Sequence, residues 1–191
     1  MIRKVVLAGL AIAAIGLVGI GKPSGAGAAP PRFLTLPFHV SPWYVTQSYS
    51  SSHRAWDFDP GGTAVNANVL AAASGTAYVY RTAYWNDPGC SAREMSSGGY
   101  GLYVVIKHPN GYKTTYAHLA SAVWAPGSGG HAVNRGQKIG VEGSSGCAYG
   151  KHLHFAIQNS AGAVVNPGNP KSAGTCGVTY PLWTRCPASF P

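Results

Sequence analysis

From about residue 41 to residue 167 the chain consists of short runs in which apolar and polar side chains alternate, each closed by Gly, Pro, Asn or Ser. A period of two places the apolar side chains on one face of an extended strand. No stretch keeps the 3.6-residue period of an amphipathic helix. Residues 69–73 and 76–84 flank Ser74-Gly75 and predict a hairpin. Residues 100–108 and 112–119 flank Pro109-Asn110-Gly111 and predict a second, because Asn-Gly readily takes positive φ. Residues 137–142 read as a short strand, residues 143–150 as a loop, and residues 151–158 as another strand. The expected fold is mostly β: a single antiparallel β-sheet or sandwich domain with long loops around a groove.

The ends of the chain depart from this pattern. Met1-Ile2-Arg3-Lys4, an apolar stretch over residues 5–20 and the small-residue motif Ala26-Gly27-Ala28 predict a signal peptide over residues 1–28. The apolar stretch is interrupted by Gly9, Gly16 and Gly19 and is short for a span, so no stable membrane insertion is expected after cleavage. Residues 29–40 read as an N-terminal lead-in, 41–170 as the main domain and 171–191 as an irregular tail. An exported chain with 4 cysteines is expected to form disulfides. Cys176 and Cys186 lie close together in the tail, so they are expected to pair locally and leave Cys90 to Cys147. No C-x-x-C spacing supports a reactive thiol or a cysteine-bound metal.

Composition narrows the picture. Charged residues make up 10% and apolar residues 46%, which excludes intrinsic disorder. The full chain carries a formal net charge of +9. Arg3, Lys4 and Lys22 go with the leader, leaving eleven basic against five acidic residues, a net +6. Such a protein is drawn to anionic polymers, including those of bacterial walls. After Lys4 no two basic residues are adjacent, so no nucleic-acid-binding arm is expected.

Three segments carry candidate chemistry. In Lys151-His152-Leu153-His154-Phe155-Ala156-Ile157, alternation sends Leu153, Phe155 and Ile157 into the core and sets His152 and His154 side by side on the other face. In His53-Arg54-Ala55-Trp56-Asp57-Phe58-Asp59, a loop enters a strand, and His53 and Asp57 can chelate one ion if the loop curls back. In Tyr112-Lys113-Thr114-Thr115-Tyr116-Ala117-His118-Leu119, Tyr116 and His118 are expected on one strand face. Taken singly, each segment also fits ordinary surface or hydrogen-bonding histidines.

Together with residues 99–108, Gly136-Gln137-Lys138-Ile139-Gly140, Gly143-Ser144-Ser145-Gly146 and Val165-Asn166-Pro167, these segments resemble the lysostaphin-type (LytM-type) zinc endopeptidases that cut peptidoglycan. The match runs from about Tyr49 to Pro167. The resemblance implies a duplicated hybrid motif fold, with residues 41–170 as the peptidase domain. It implies that His53, Asp57 and His154 hold Zn2+, and that His118 and His152 are the catalytic histidines. Two imidazoles and one carboxylate leave a tetrahedral corner for water, as a catalytic zinc site requires. Zinc lowers the pKa of such a water from 15.7 to about 7, whereas general base catalysis alone supplies about 3–5 kcal/mol.

The chain has no His-Glu-x-x-His, so a histidine must accept the water proton. His152 is assigned that task, with His118 hydrogen-bonding the developing oxyanion or sharing the proton, and the two roles are exchangeable. Ala55 stands where the family usually has Gly. Tyr49, Tyr116 and Asp59 are further candidates for an oxyanion donor or a supporting partner. The expected activity is that of a secreted, monomeric endopeptidase acting on cross-bridge or stem peptides of peptidoglycan. A non-catalytic wall-binding or hydrolase-activator domain of the same fold is the alternative. Gly143-Ser144-Ser145-Gly146 does not match the G-x-S-x-G of a serine hydrolase.

Overall fold

The computed structural model describes residues 32–61, 66–86, 90–168 and 182–183. The expected signal peptide and the expected Cys176–Cys186 bridge lie outside the described residues. In chain order the elements are β1 (Trp43–Gln47), β2 (Trp56–Pro60), β3 (Asn68–Leu70), β4 (Gly75–Arg81), α1 (Ala92–Ser96), β5 (Leu102–Lys107), β6 (Lys113–Ala117), β7 (Ser121–Ala122), β8 (His131–Val133), β9 (Lys138–Val141) and β10 (Leu153–Gln158). A seven-stranded sheet runs β1-β2-β10-β6-β5-β4-β8 and a three-stranded sheet runs β3-β9-β7, with antiparallel pairing throughout. The mostly β, antiparallel fold expected from the alternation is the fold observed. Helix is limited to the short α1 among the described residues.

The alternation explains which face is buried. Leu153, Phe155 and Ile157 of β10 are buried, while His154, Ala156 and Gln158 between them are half-exposed. The same rhythm holds in β5, where Leu102, Val104 and Ile106 point inward. These side chains meet Val69, Ile139 and Leu119 in one core, so the small sheet covers one face of the large sheet. The opposite face of the large sheet stays open and carries the half-exposed set.

The hairpin expected around Ser74-Gly75 is not formed. β3 pairs with β9 and β4 with β5 and β8, so the chain changes sheets between them. The reason lies in Ala71, Ala72 and Ala73, which are small enough to be buried between the layers. Their backbone bonds go elsewhere: Ala71 N–H donates to the Gln137 carbonyl at 2.9 Å and Ala72 N–H to the Tyr116 hydroxyl at 2.8 Å. The hairpin around Asn110-Gly111 forms as expected, with β5 beside β6 and Gly111 at φ 83°.

The expected lead-in is part of the core. Leu34, Leu36 and Phe38 are buried. The Thr35 N–H donates to the Ala72 carbonyl at 2.8 Å, the Pro37 carbonyl accepts from Leu70, and Leu34 bridges to Trp183.

Candidate active site

β2, β10 and the end of β6 lie side by side, with Asp57 opposite His154 and His154 opposite Ala117. Pairing across the sheet therefore joins residues 97 positions apart: His154 Nδ1 and Asp57 Oδ1 are 2.9 Å apart. His53 precedes β2 in a turn where its N–H donates to Ser50 Oγ at 2.9 Å and the Ser50 N–H donates to its carbonyl at 2.8 Å. His53 Nδ1 faces the Ser48 carbonyl at 3.4 Å. A proton on that nitrogen leaves Nε2 bare toward Asp57 Oδ2, 3.2 Å away.

One ligand atom from each of His53, Asp57 and His154 lies within 4.8 Å of the others. The expected triad is thus brought together. Its donor set suits a metal: two imidazole nitrogens and a buried carboxylate oxygen, with the carboxylate's ion-pair contacts all to histidines. Burial pushes the Asp57 carboxyl upward. The His154 hydrogen bond and the charges of His154, His152 and His53 override it, so the pKa sits below the ordinary carboxylate value.

His152 stands two residues before His154 on the same face, as alternation predicts, and pairs with Gly143 through an isolated bridge. Its Nδ1 meets the Gly150 carbonyl at 2.9 Å, which holds the proton there and leaves Nε2 as an acceptor, 3.7 Å from Asp57 Oδ2. His118 reaches the same place by another route. Tyr116 opposes Phe155 and is fully buried, so strict alternation would point His118 into the core as well. Instead His118 sits past the end of β6 at φ 62°, a left-handed conformation that turns the ring to the open side.

The expectation that Tyr116 and His118 share a strand face is therefore corrected. The His118 Nδ1 meets the Ser145 carbonyl at 2.9 Å, and its ring lies 4.7 Å from that of His152 and 5.5 Å from that of His154. Burial, and then the neighbouring His152 and His154, pull its pKa down to about 4, so the ring is neutral at pH 7.

All five side chains line one groove of about 600 Å³, together with Gly99, Tyr100, Cys147 and Tyr149. The expected bridge between Cys90 and Cys147 is present and ties α1's approach to this rim. Tyr49, Tyr116 and Asp59 do not line the groove. The Tyr116 hydroxyl accepts from Ala72 and Thr114 in the core, and the Tyr49 hydroxyl meets the Val164 carbonyl at 3.5 Å. Sequence reading missed the carbonyls of Ser48, Ser145 and Gly150, which carry no side-chain signal. It also passed over Tyr100, whose ring lies 5.5 Å from His154. The run Gly99-Tyr100-Gly101, with both glycines at positive φ, marks that position.

Fold and site together define a two-sheet β protein with a two-histidine, one-carboxylate metal-type centre in an open groove. The chain belongs to the family described as Peptidase family M23, whose profile matches residues 51–167. An uncharacterized metalloprotease of Haemophilus influenzae is 30% identical over 142 residues, covering 74% of this chain and 26% of that protein. The peptidoglycan DD-endopeptidase ShyA of Vibrio cholerae is 44% identical over 57 residues, covering 30% of this chain and 13% of its own length. The chain thus matches about a quarter or less of these relatives. The solved structure of Helicobacter pylori Csd3 shares the fold at a TM-score of 0.50 and 24% identity, covering 72% of this chain and 32% of Csd3.

Proposed function

We propose that this protein is an exported zinc endopeptidase that hydrolyses peptide bonds in bacterial peptidoglycan, in a cross-bridge or a stem peptide. The observation that carries the reading is the convergence of His53, Asp57 and His154 on one point, with His118 and His152 beside them in a single groove. The name of the Vibrio cholerae relative, a peptidoglycan DD-endopeptidase, supports the choice of substrate. The leader over residues 1–28 and the net positive charge support export to an anionic wall, where the protein acts as a monomer without nucleic acid.

His53, Asp57 and His154 would hold the zinc ion, which supplies Lewis acidity and hydroxide at neutral pH when bound. An extended peptide lies in the groove with its scissile carbonyl against this triad. His152, fixed by the Gly150 carbonyl and opening to the groove through Nε2, accepts the proton of the attacking water and returns it to the leaving amine. His118, whose Nδ1–H goes to the Ser145 carbonyl, presents a bare Nε2 beside His152. It shares the proton taken from the water and donates to the developing oxyanion only once it carries that proton. His152→Ala is expected to lower kcat by about 10²–10⁴-fold while zinc content stays the same.

Purified peptidoglycan incubated with the protein should yield new amino termini by mass spectrometry, with loss of activity on chelation and return on adding Zn2+. Metal-loaded protein that binds sacculi but frees no peptide would overturn the proposal and leave a wall-binding role.

A further inference from the structure

The open face of the large sheet carries a feature that the metal centre does not use. Tyr80 of β4 lies directly opposite Tyr103 of β5, and their rings stack 5.3 Å apart at 26°. Tyr103 in turn packs against Tyr100 at 5.3 Å, and Tyr100 against His154 at 5.5 Å. Register explains the line. Tyr103 precedes Val104, which opposes Tyr116; Ala117 follows Tyr116 and opposes His154; and His154 opposes Asp57. The aromatic row thus crosses the strands and ends on the candidate metal centre, sharing Tyr100 with the groove.

This row is exposed where a monomeric sheet would normally be polar: Tyr80 is 40% and Tyr100 37% accessible. The three rings themselves carry no charge, and the cation–π contacts among the described residues fall beside them, on Trp85, Tyr84 and Tyr78, the last with Lys107 of the same sheet face. A polyanion would need cations along its path, and a wholly apolar partner would leave the phenol hydroxyls unpaired. Burial, aided by Tyr80 and Tyr100, raises the Tyr103 pKa, so that hydroxyl stays a neutral donor. An aromatic face with hydroxyls at its edge matches a pyranose, which offers C–H bonds on its flat face and hydroxyls around its rim.

We propose that Tyr80, Tyr103 and Tyr100 form a saccharide-binding platform that takes the neutral glycan strand from which a substrate peptide branches into the groove. The inference rests on the peptidoglycan reading above, because only a peptide joined to sugar brings both parts to one surface. It assigns the row to substrate affinity, not to bond cleavage. Tyr80 lies farthest from His154 along the row and is the residue to vary.

The test uses the full chain, an N-acetylglucosamine hexasaccharide as binding probe, and one cross-linked peptide offered both free and attached to glycan. Tyr80→Ala should abolish hexasaccharide binding and raise KM on the glycan-bearing substrate about tenfold with kcat unchanged. KM on the sugar-free peptide should not move, and Tyr80→Phe, which keeps the ring, should stay within about twofold of wild type on both. Failure of wild type to bind the hexasaccharide overturns the platform. So does an unchanged KM of Tyr80→Ala on the glycan-bearing substrate, or an equal rise on both substrates, which would assign the row to the peptide or to sheet integrity. Should wild type cleave neither substrate, the endopeptidase reading fails, and the hexasaccharide titration still decides the platform.

Discussion

His118 reaches the groove only because its backbone leaves the strand, and such a conformation costs a β-carbon-bearing residue about 1–3 kcal/mol. The Ser145 carbonyl that receives its Nδ1–H helps offset that cost. Ser145 can approach because Gly101 has no side chain: a Cβ there would lie 2.4 Å from Ser145 C and 2.5 Å from its carbonyl oxygen. Gly101→Ala must displace either the strand or the loop. A loss of about 2 kcal/mol or more in denaturant unfolding is expected, together with a fall in hydrolysis. An alanine variant as active and stable as wild type would show that this contact does not place His118.

At this scale the sequence was legible where alternation holds. His152 and His154 were assigned to the same face and lie there, and His53 and Asp57 meet as a loop-to-strand pair can. His118 was misread because alternation assumes that β6 continues one residue beyond its end, and a left-handed histidine leaves no trace in composition.

Among elements, the loop over residues 143–150 does the most positioning. It supplies the carbonyls that orient His118 and His152, receives Cys90 through Cys147, and hydrogen-bonds Gly99 and Trp85 through its backbone. The bridge closes a separation of 57 residues, which on chain-entropy grounds corresponds to about 4 kcal/mol against unfolding. Replacing both cysteines by serine should lower the melting temperature and raise KM, since Cys147 lines the groove. Undiminished turnover after reduction would count against a stiffening role.

The neck of this loop is closed by an ion pair, buried Glu142 to half-buried Lys151 at 3.3 Å. Burial pushes the Glu142 pKa up to about 7, with Asp59 adding to the rise and Lys151 opposing it. A carboxyl raised in the folded state holds its proton better there than when unfolded. Its contribution is therefore full below about pH 4.5 and fades as pH climbs through 7. Glu142→Gln should flatten that decline, gaining about 1–2 kcal/mol on wild type at pH 8 after allowance for solvent screening, and losing the gain near pH 5. Melting curves across this range decide it. A parallel pH dependence in both proteins would sink the assignment. Periodicity named the elements on either side of this loop, and the Asn110-Gly111 hairpin, correctly. It joined β3 to β4 wrongly because a short link between two strands reads the same whether they share a sheet or belong to facing sheets, and only the burial of Ala71, Ala72 and Ala73 separates the two cases.

At the scale of the whole molecule, the arrangement divides labour between faces. One face of the large sheet is covered and supplies stability, and the other stays open and carries the candidate metal centre. Covering that face takes more chain than the family match contains, for the match begins at residue 51 while Leu34, Leu36 and Phe38 fill the core before it. Leu34, Leu36, Phe38 and Val40 alternate with Thr35, Pro37 and His39, the same period of two as in the strands. The prolines before and within the run nevertheless make it read as a lead-in outside the main domain. Burying three such side chains is worth about 1.5–3 kcal/mol each, a total comparable with the roughly 5–15 kcal/mol net stability of an ordinary domain. The same segment also holds Ala72 and Leu70 through its backbone, and so steadies the crossing from β3 to β4. A chain beginning at Ser41 should therefore lose its cooperative melting transition and become sensitive to protease, even though every histidine of the groove remains. If that shorter chain melts sharply within a few degrees of the full one, the core does not depend on these residues and the covered face is stabilised from the small sheet alone.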